Sequence, residues 1–241
     1  MRAILSIAAA MSLVAGTASA QFDIEDSTTA SQEVKLEILN TIRTGSIAAN
    51  ANRNEHEFGV TYGALEGWAP RLSFLISNPN NGSMDVTGFR FSSVIGILGG
   101  EVSESDFSLG FYSGVFYDFD NSANRYVELG PSVGYEQPDW SVALNTFATI
   151  PLNDGDVGFN YAVGGSYKIN EMFAVGAEAH GTVSSVFEDV DISSDEHVVG
   201  PTMTLALETE GRDVALRLGT FFGLTDAAPT MAISANLELG F

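Results

Sequence analysis

The chain contains no cysteine. That absence removes thiol catalysis, thiolate metal sites and disulfide staples, so the fold must hold itself by hydrogen bonding and burial. Basic residues are scarce: 10 Lys plus Arg stand against 31 Asp plus Glu in 241 residues, a formal net charge of -21. Release of counterions from phosphates needs a basic surface, so nucleic acid is excluded as a partner. Histidine occurs three times, at His56, His180 and His197. No His-rich zinc pattern and no Gly-rich phosphate cradle surrounds them, so no cofactor and no metal are expected. Long apolar runs are missing too. Beyond Gln21 the longest stretch without Asp, Glu, Lys or Arg is Trp140 to Asn153, 14 residues interrupted by Asn145 and several hydroxyls. A spanning helix needs about 20 apolar residues. With 45% hydrophobic residues the chain is nonetheless too apolar for an acidic disordered tail.

Residues 1–20 read as a secretory signal peptide cut after Ala20. Arg2 is the only charge before Asp23, an apolar core runs from Ala3 to Val14, and Ala18, Ser19 and Ala20 supply the small residues of a cleavage site. The apolar core is too short for a membrane anchor. Residues 21–32 are polar, with Ser27, Thr28, Thr29, Ser31 and Gln32 and no alternation, and predict a flexible segment.

What is present is alternation of period two. Val157, Phe159, Tyr161, Val163, Tyr167 and Ile169 are apolar or aromatic, while Gly158, Asn160, Ala162, Gly164, Ser166 and Lys168 between them are small or polar. Met231, Ile233, Ala235, Leu237, Leu239 and Phe241 repeat the pattern. Such segments are strands with one apolar face. The pattern predicts strands at 33–43, 56–65, 70–78, 85–98, 106–119, 125–136, 140–151, 156–169, 172–185, 197–208, 213–224 and 230–241. The first also fits a short amphipathic helix through Val34, Leu36, Ile38 and Leu39, in which case the count falls to eleven or the preceding tail supplies another strand. Twelve strands in the 221 residues after the cut (241 less 20) leave about 18 residues per strand and connection, room for the 9–11 residues that cross a bilayer at a tilt. Short connections alternate with longer, more polar ones, Gly99 to Ser105 excepted, which implies two different sides.

Aromatic placement agrees. Trp68, Tyr135, Trp140, Tyr167 and Phe173 lie in or beside short connections, and Phe241 ends the last strand on that side; Tyr117, Phe119, Phe159 and Phe222 fall toward the other ends. Bulky residues at strand ends form interfacial girdles, whereas a soluble sandwich concentrates them mid-strand.

The signal peptide, the alternating strands and the final Leu237, Glu238, Leu239, Gly240 and Phe241 together resemble a Gram-negative outer-membrane β-barrel with its C-terminal sorting strand. The resemblance covers residues 33–241 as a pattern, and the terminal strand alone is motif-like. It implies an all-β fold: a closed antiparallel up-and-down transmembrane barrel of about twelve strands, with 21–32 as its periplasmic start. It further implies insertion by the barrel assembly machinery, contact with outer-membrane lipid and lipopolysaccharide, and a porin-like role rather than an enzyme's.

Closure follows from physics as well, because backbone amides in hydrocarbon have no water to pair with and no edge can be left open. Val127, Leu129, Val133 and Tyr135, and Val214, Leu216, Leu218 and Phe222, then face lipid. Parity turns Glu57, Arg71, Arg90, Asp118, Glu128, Glu136, Lys168, Glu178, Glu208, Arg217 and Glu238 inward, seven acids and four bases, and His180 with them. In an open lumen that balance predicts a mild cation preference. Paired across a narrow bore, the same charges would plug it and make a structural or surface-interaction barrel instead.

A lipid hydrolase is the third reading. Glu178 and His180 share a strand face, yet Ala179, His180, Gly181 and Thr182 lack the His-x-Ser arrangement of lipid-hydrolysing barrels, and a nucleophile needs a base within reach. Glu188, Asp189, Asp191, Asp195 and Glu196 gather carboxylates in one connection. Hard cations take oxygen ligands, but the spacing matches no closed calcium loop, so a solvated acidic outer loop is expected, one that could contact the divalent ions bridging lipopolysaccharide phosphates.

Overall fold

The computed structural model describes residues 32–45, 53–79, 84–99, 106–119, 125–153, 156–183, 195–209 and 212–241. The signal peptide and nearly all of the 21–32 segment lie outside the described residues. Twelve strands follow one another: β1 (Val34–Thr44), β2 (Arg53–Tyr62), β3 (Trp68–Pro79), β4 (Asp85–Leu98), β5 (Phe107–Asp118), β6 (Tyr126–Glu136), β7 (Trp140–Pro151), β8 (Gly158–Asn170), β9 (Phe173–Val183), β10 (His197–Thr209), β11 (Arg212–Gly223) and β12 (Met231–Gly240). Each pairs antiparallel with its neighbours in sequence, and β1 pairs with β12, so the sheet is a closed barrel. The last hydrogen bonds of that seam join Val34 and Phe241 through both of their backbone N–H and C=O groups, at 3.2 and 3.0 Å.

The ambiguous first segment is a strand because both flanks require one. As a helix it would leave β2 and β12 with open edges; as a strand it pairs with both and keeps its alternation, with Leu39 and Thr41 buried. The second strand ends at Tyr62 rather than at residue 65. Leu65 instead bridges back to Trp68 around a turn in which Gly67 takes a positive φ of 70°. The third strand accordingly begins at Trp68, and the turn spans 63–67.

Burial alternates along the strands, and it is inverted relative to a soluble protein. On neighbouring positions Ser73 is 0% exposed and Phe74 48%, Ser92 2% and Phe91 51%. Most hydroxyls, amides and charges point into the barrel, together with a few apolar residues such as Leu39, Val198 and Phe221; most Phe, Leu, Ile and Val point out. Only a nonpolar surrounding makes that distribution favourable, since burying apolar area is the main favourable term in folding. The termini and the connections at 63–67, 137–139 and 171–172 share one end, here the terminus end; those at 224–230 and 195–196 belong to the other, the loop end.

Candidate functional site

The inner wall carries the polar chemistry, and its charges meet in two networks. In the first, Arg71 on β3 reaches Glu37 on β1 (Nε to Oε2, 3.2 Å) and Glu57 on β2 (Nη2 to Oε1, 3.3 Å). Arg90 on β4 approaches the other oxygen of Glu57 at 3.3 Å. Thr61 donates to Glu37 at 2.8 Å. Local sequence makes this possible. Gly59 stands opposite Glu37 in the β1–β2 register, and a Cβ there would lie 2.9 Å from Arg71 Nε, so the guanidinium crosses β2 only over a bare backbone. Glu57 is fully buried. A buried carboxylate is tolerated when its charge is matched; two guanidinium groups match that of Glu57, Arg90 as a hydrogen-bond donor to Oε2 and Arg71 as an ion pair at Oε1.

The second network lies on β9 and β11. Arg217 forks Glu178, with Nε donating to Oε1 at 2.9 Å and Nη2 to Oε2. His180 Nε2 lies 3.1 Å from the same carboxylate, and its ring meets Phe221 edge-on with centroids 5.2 Å apart. Glu178 is thus neutralised by arginine before it can polarise the imidazole, an arrangement that suits structure better than general-base chemistry.

Between the networks, on the arc from β5 to β8, donors are neutral. Glu128 accepts from Tyr112 Oη at 3.4 Å and from Asn160 Nδ2 at 3.1 Å; Asn145 donates to Ser132 at 2.8 Å; and Tyr112 packs on Phe147 with centroids 4.4 Å apart. Four of the inward contacts share a geometry. Glu37 with Arg71, Glu57 with Arg90, Glu128 with Asn160 and Glu178 with Arg217 each join strands two apart in the barrel order, so the side chains run along the wall.

The remaining candidates sit at the rims. At the terminus end Lys168 pairs with Glu136 at 2.8 Å, both substantially exposed, beside a cavity of about 310 Å3 that Asp106, Gln137 and Pro138 also line. Glu238 meets Lys35 at 3.1 Å. Glu208 stands opposite Asp213 in the β10–β11 register. At the loop end Asp118 accepts Arg125 Nε on its backbone oxygen. Glu188, Asp189 and Asp191 lie outside the described residues. Asp195 is buried, with its carbonyl accepting from Thr225 Oγ1 at 2.6 Å, and Glu196 is bound by Arg43 at 2.7 Å. Among the described residues no three His, Asp or Glu side chains are grouped to hold a metal ion. His56 and His197 point to the outer face, His56 toward Asn40 and His197 toward Tyr161 Oη at 3.0 Å.

Sequence reasoning missed Lys35, Glu37 and Arg43, because the helical reading of the first segment obscured their common parity. It also missed Tyr112 and Asn145, which alternation alone would have turned inward, and it placed Asn160 on the polar face without giving it a role.

The outer face carries the aromatic sets at both ends. At the terminus end Tyr135 and Trp140 pack with tilted rings and centroids 5.3 Å apart, Trp68 Nε1 donates to Ser93 Oγ at 2.6 Å, and Tyr167, Phe173 and Phe241 complete the set. At the loop end Phe89, Tyr117 and Phe119 cluster, and Arg125 lies 4.1 Å over the Tyr117 ring. Amphipathic rings in two belts around an apolar band match the two interfaces of a bilayer.

No protein-family model and no curated protein sequence matches the chain. Solved structures do. An outer membrane channel from Pseudomonas putida F1 is 12% identical with a TM-score of 0.61, over 90% of this chain and 98% of that one. The NanC porin is 11% identical with a TM-score of 0.58, over 86% and 98%. The translocator domain of the autotransporter NalP from Neisseria meningitidis is 11% identical with a TM-score of 0.50, over 90% of each chain. At such identities the likeness is one of architecture. The chain has the closed, twelve-strand, antiparallel fold of the outer-membrane β-barrels.

Proposed function

We propose that the protein is an outer-membrane channel for passive passage of ions and small hydrophilic solutes, with a mild preference for cations. The lie of the inner-wall charge carries the reading. Side chains paired two strands apart extend around the circumference instead of across the bore, and an apolar exterior with two aromatic belts suits the surrounding bilayer. In this reading the signal peptide is cut after Ala20, the barrel assembly machinery inserts the chain, and the loop end meets lipopolysaccharide.

The cation preference rests on Glu128, which is nine-tenths buried and whose hydrogen-bond donors, Tyr112 and Asn160, are neutral. Glu57 and Glu178 are in direct contact with arginines, whereas Arg90 acts on Glu128 without a direct ion pair to it. Purified protein in planar bilayers should conduct, with a reversal potential across a KCl gradient on the cation side, weakening as salt screens the wall. Glu128→Gln should reduce the preference. A clear chloride preference contradicts this assignment.

A second reading, a barrel with a plugged lumen, is favoured by one observation. Phe221, Val198, Ala228 and Ala232 form a buried apolar cluster, and Tyr112 and Phe221 are each 1% exposed. Folded, inserted protein that passes no current selects that reading.

A further inference from the structure

We infer that Gly59, Gly114 and Gly219 set the width of the bore, each giving a large inward side chain a bare stretch of wall on which to lie flat. The inference rests on the channel reading. Inward neighbours on one strand are about 7 Å apart, about the reach of a tyrosine or phenylalanine, so a ring can lie along the strand only where the next inward position has no Cβ.

That is the arrangement found. On β5 the Tyr112 ring lies over Gly114: a Cβ there would stand 2.7 Å from Tyr112 Oη and 3.1 Å from Cζ. On β11 the Phe221 ring lies over Gly219, where a Cβ would stand 2.7 and 2.8 Å from Cε2 and Cζ. On β2 the Arg71 side chain lies over Gly59, on its way to Glu37. All three glycines are buried on the inner face. A methyl group at any of them leaves the displaced side chain one direction to take. The sheet blocks the way out, and the flanks are filled, for Tyr112 by Phe147 and Glu128 and for Phe221 by His180. The group must swing toward the axis.

Single-channel conductance in planar bilayers tests this, with heat-modifiable migration confirming that each variant is folded. Gly114→Ala and Gly219→Ala should lower conductance about two-fold, as expected of a narrowed constriction, and should lower the size limit for sugars in liposome swelling. Gly165→Ala, on the outer face where a Cβ makes ordinary contacts of 3.5 and 3.7 Å, should conduct as the unaltered protein does. The double variant Tyr112→Ala with Gly114→Ala should regain the conductance lost, which a merely structural role for the glycine does not predict. If Gly114→Ala fails to fold, Gly59→Ala gives the same test against the flexible end of an arginine. Folded alanine variants that conduct normally, or a double variant that stays low, overturn the inference while leaving the channel intact. An unaltered protein that carries no current removes the channel reading and this inference together.

Discussion

Glu57 shows how much rests on single residues inside a narrow barrel. It is fully buried, and two guanidinium groups depend on it. Glu57→Gln keeps the shape but removes the carboxylate that Arg71 and Arg90 share, leaving Arg71 with Glu37, and breaking a buried pair from one side costs about 3–5 kcal/mol. Urea unfolding of the refolded barrel should show a midpoint lowered accordingly. Glu136→Gln, removing the exposed partner of Lys168, should shift it by no more than about 1 kcal/mol. Equal effects would mean that the inner network is not what holds these strands. The parity of Glu57, Arg71, Arg90, Glu178 and Arg217 is legible in the sequence, but their partners are not. Glu37 and Arg71 meet because the register sets Gly59 between them, and a pairing two strands away depends on stagger that no local pattern encodes.

At the scale of the strand, β4 and β7 have the bounds their alternation predicts, 85–98 and 140–151, while β1 owes its form to its neighbours. Its alternation is compatible with two periodicities, and only the need of β2 and β12 for a partner decides between them. Closure then depends on the seam. Deleting Phe241 removes the reciprocal backbone bonds with Val34 and an outer-face aromatic. The expected outcome is impaired assembly with export largely preserved, read as mature protein in the periplasmic fraction; full assembly without Phe241 would argue that the seam holds by itself. The outer face makes a matching prediction. Phe74 sits mid-strand on β3 and is exposed beside fully buried Ser73. Phe74→Lys should cost about 2–4 kcal/mol when unfolding is followed in lipid vesicles, and far less if that face meets water.

The whole molecule resolves an apparent contradiction in its composition. A chain with a net charge of -21 and no cysteine has a surface of Phe, Leu, Ile and Val because much of its charge sits in connections, at the rims, or inside against arginine. Fold class, strand number and the two faces could be read from period-two alternation and the two aromatic sets. The flat-lying rings, the two separate charge networks and the buried Asp195 could not, since each depends on segments distant in sequence coming together when the sheet closes. Closure in a membrane is the central claim, and migration on a detergent gel tests it most directly. Extracted unboiled, the protein should run as a compact species ahead of the boiled form, because a closed barrel without an open edge resists detergent until heated. A detergent-free, soluble monomer whose migration does not change on heating would contradict the account.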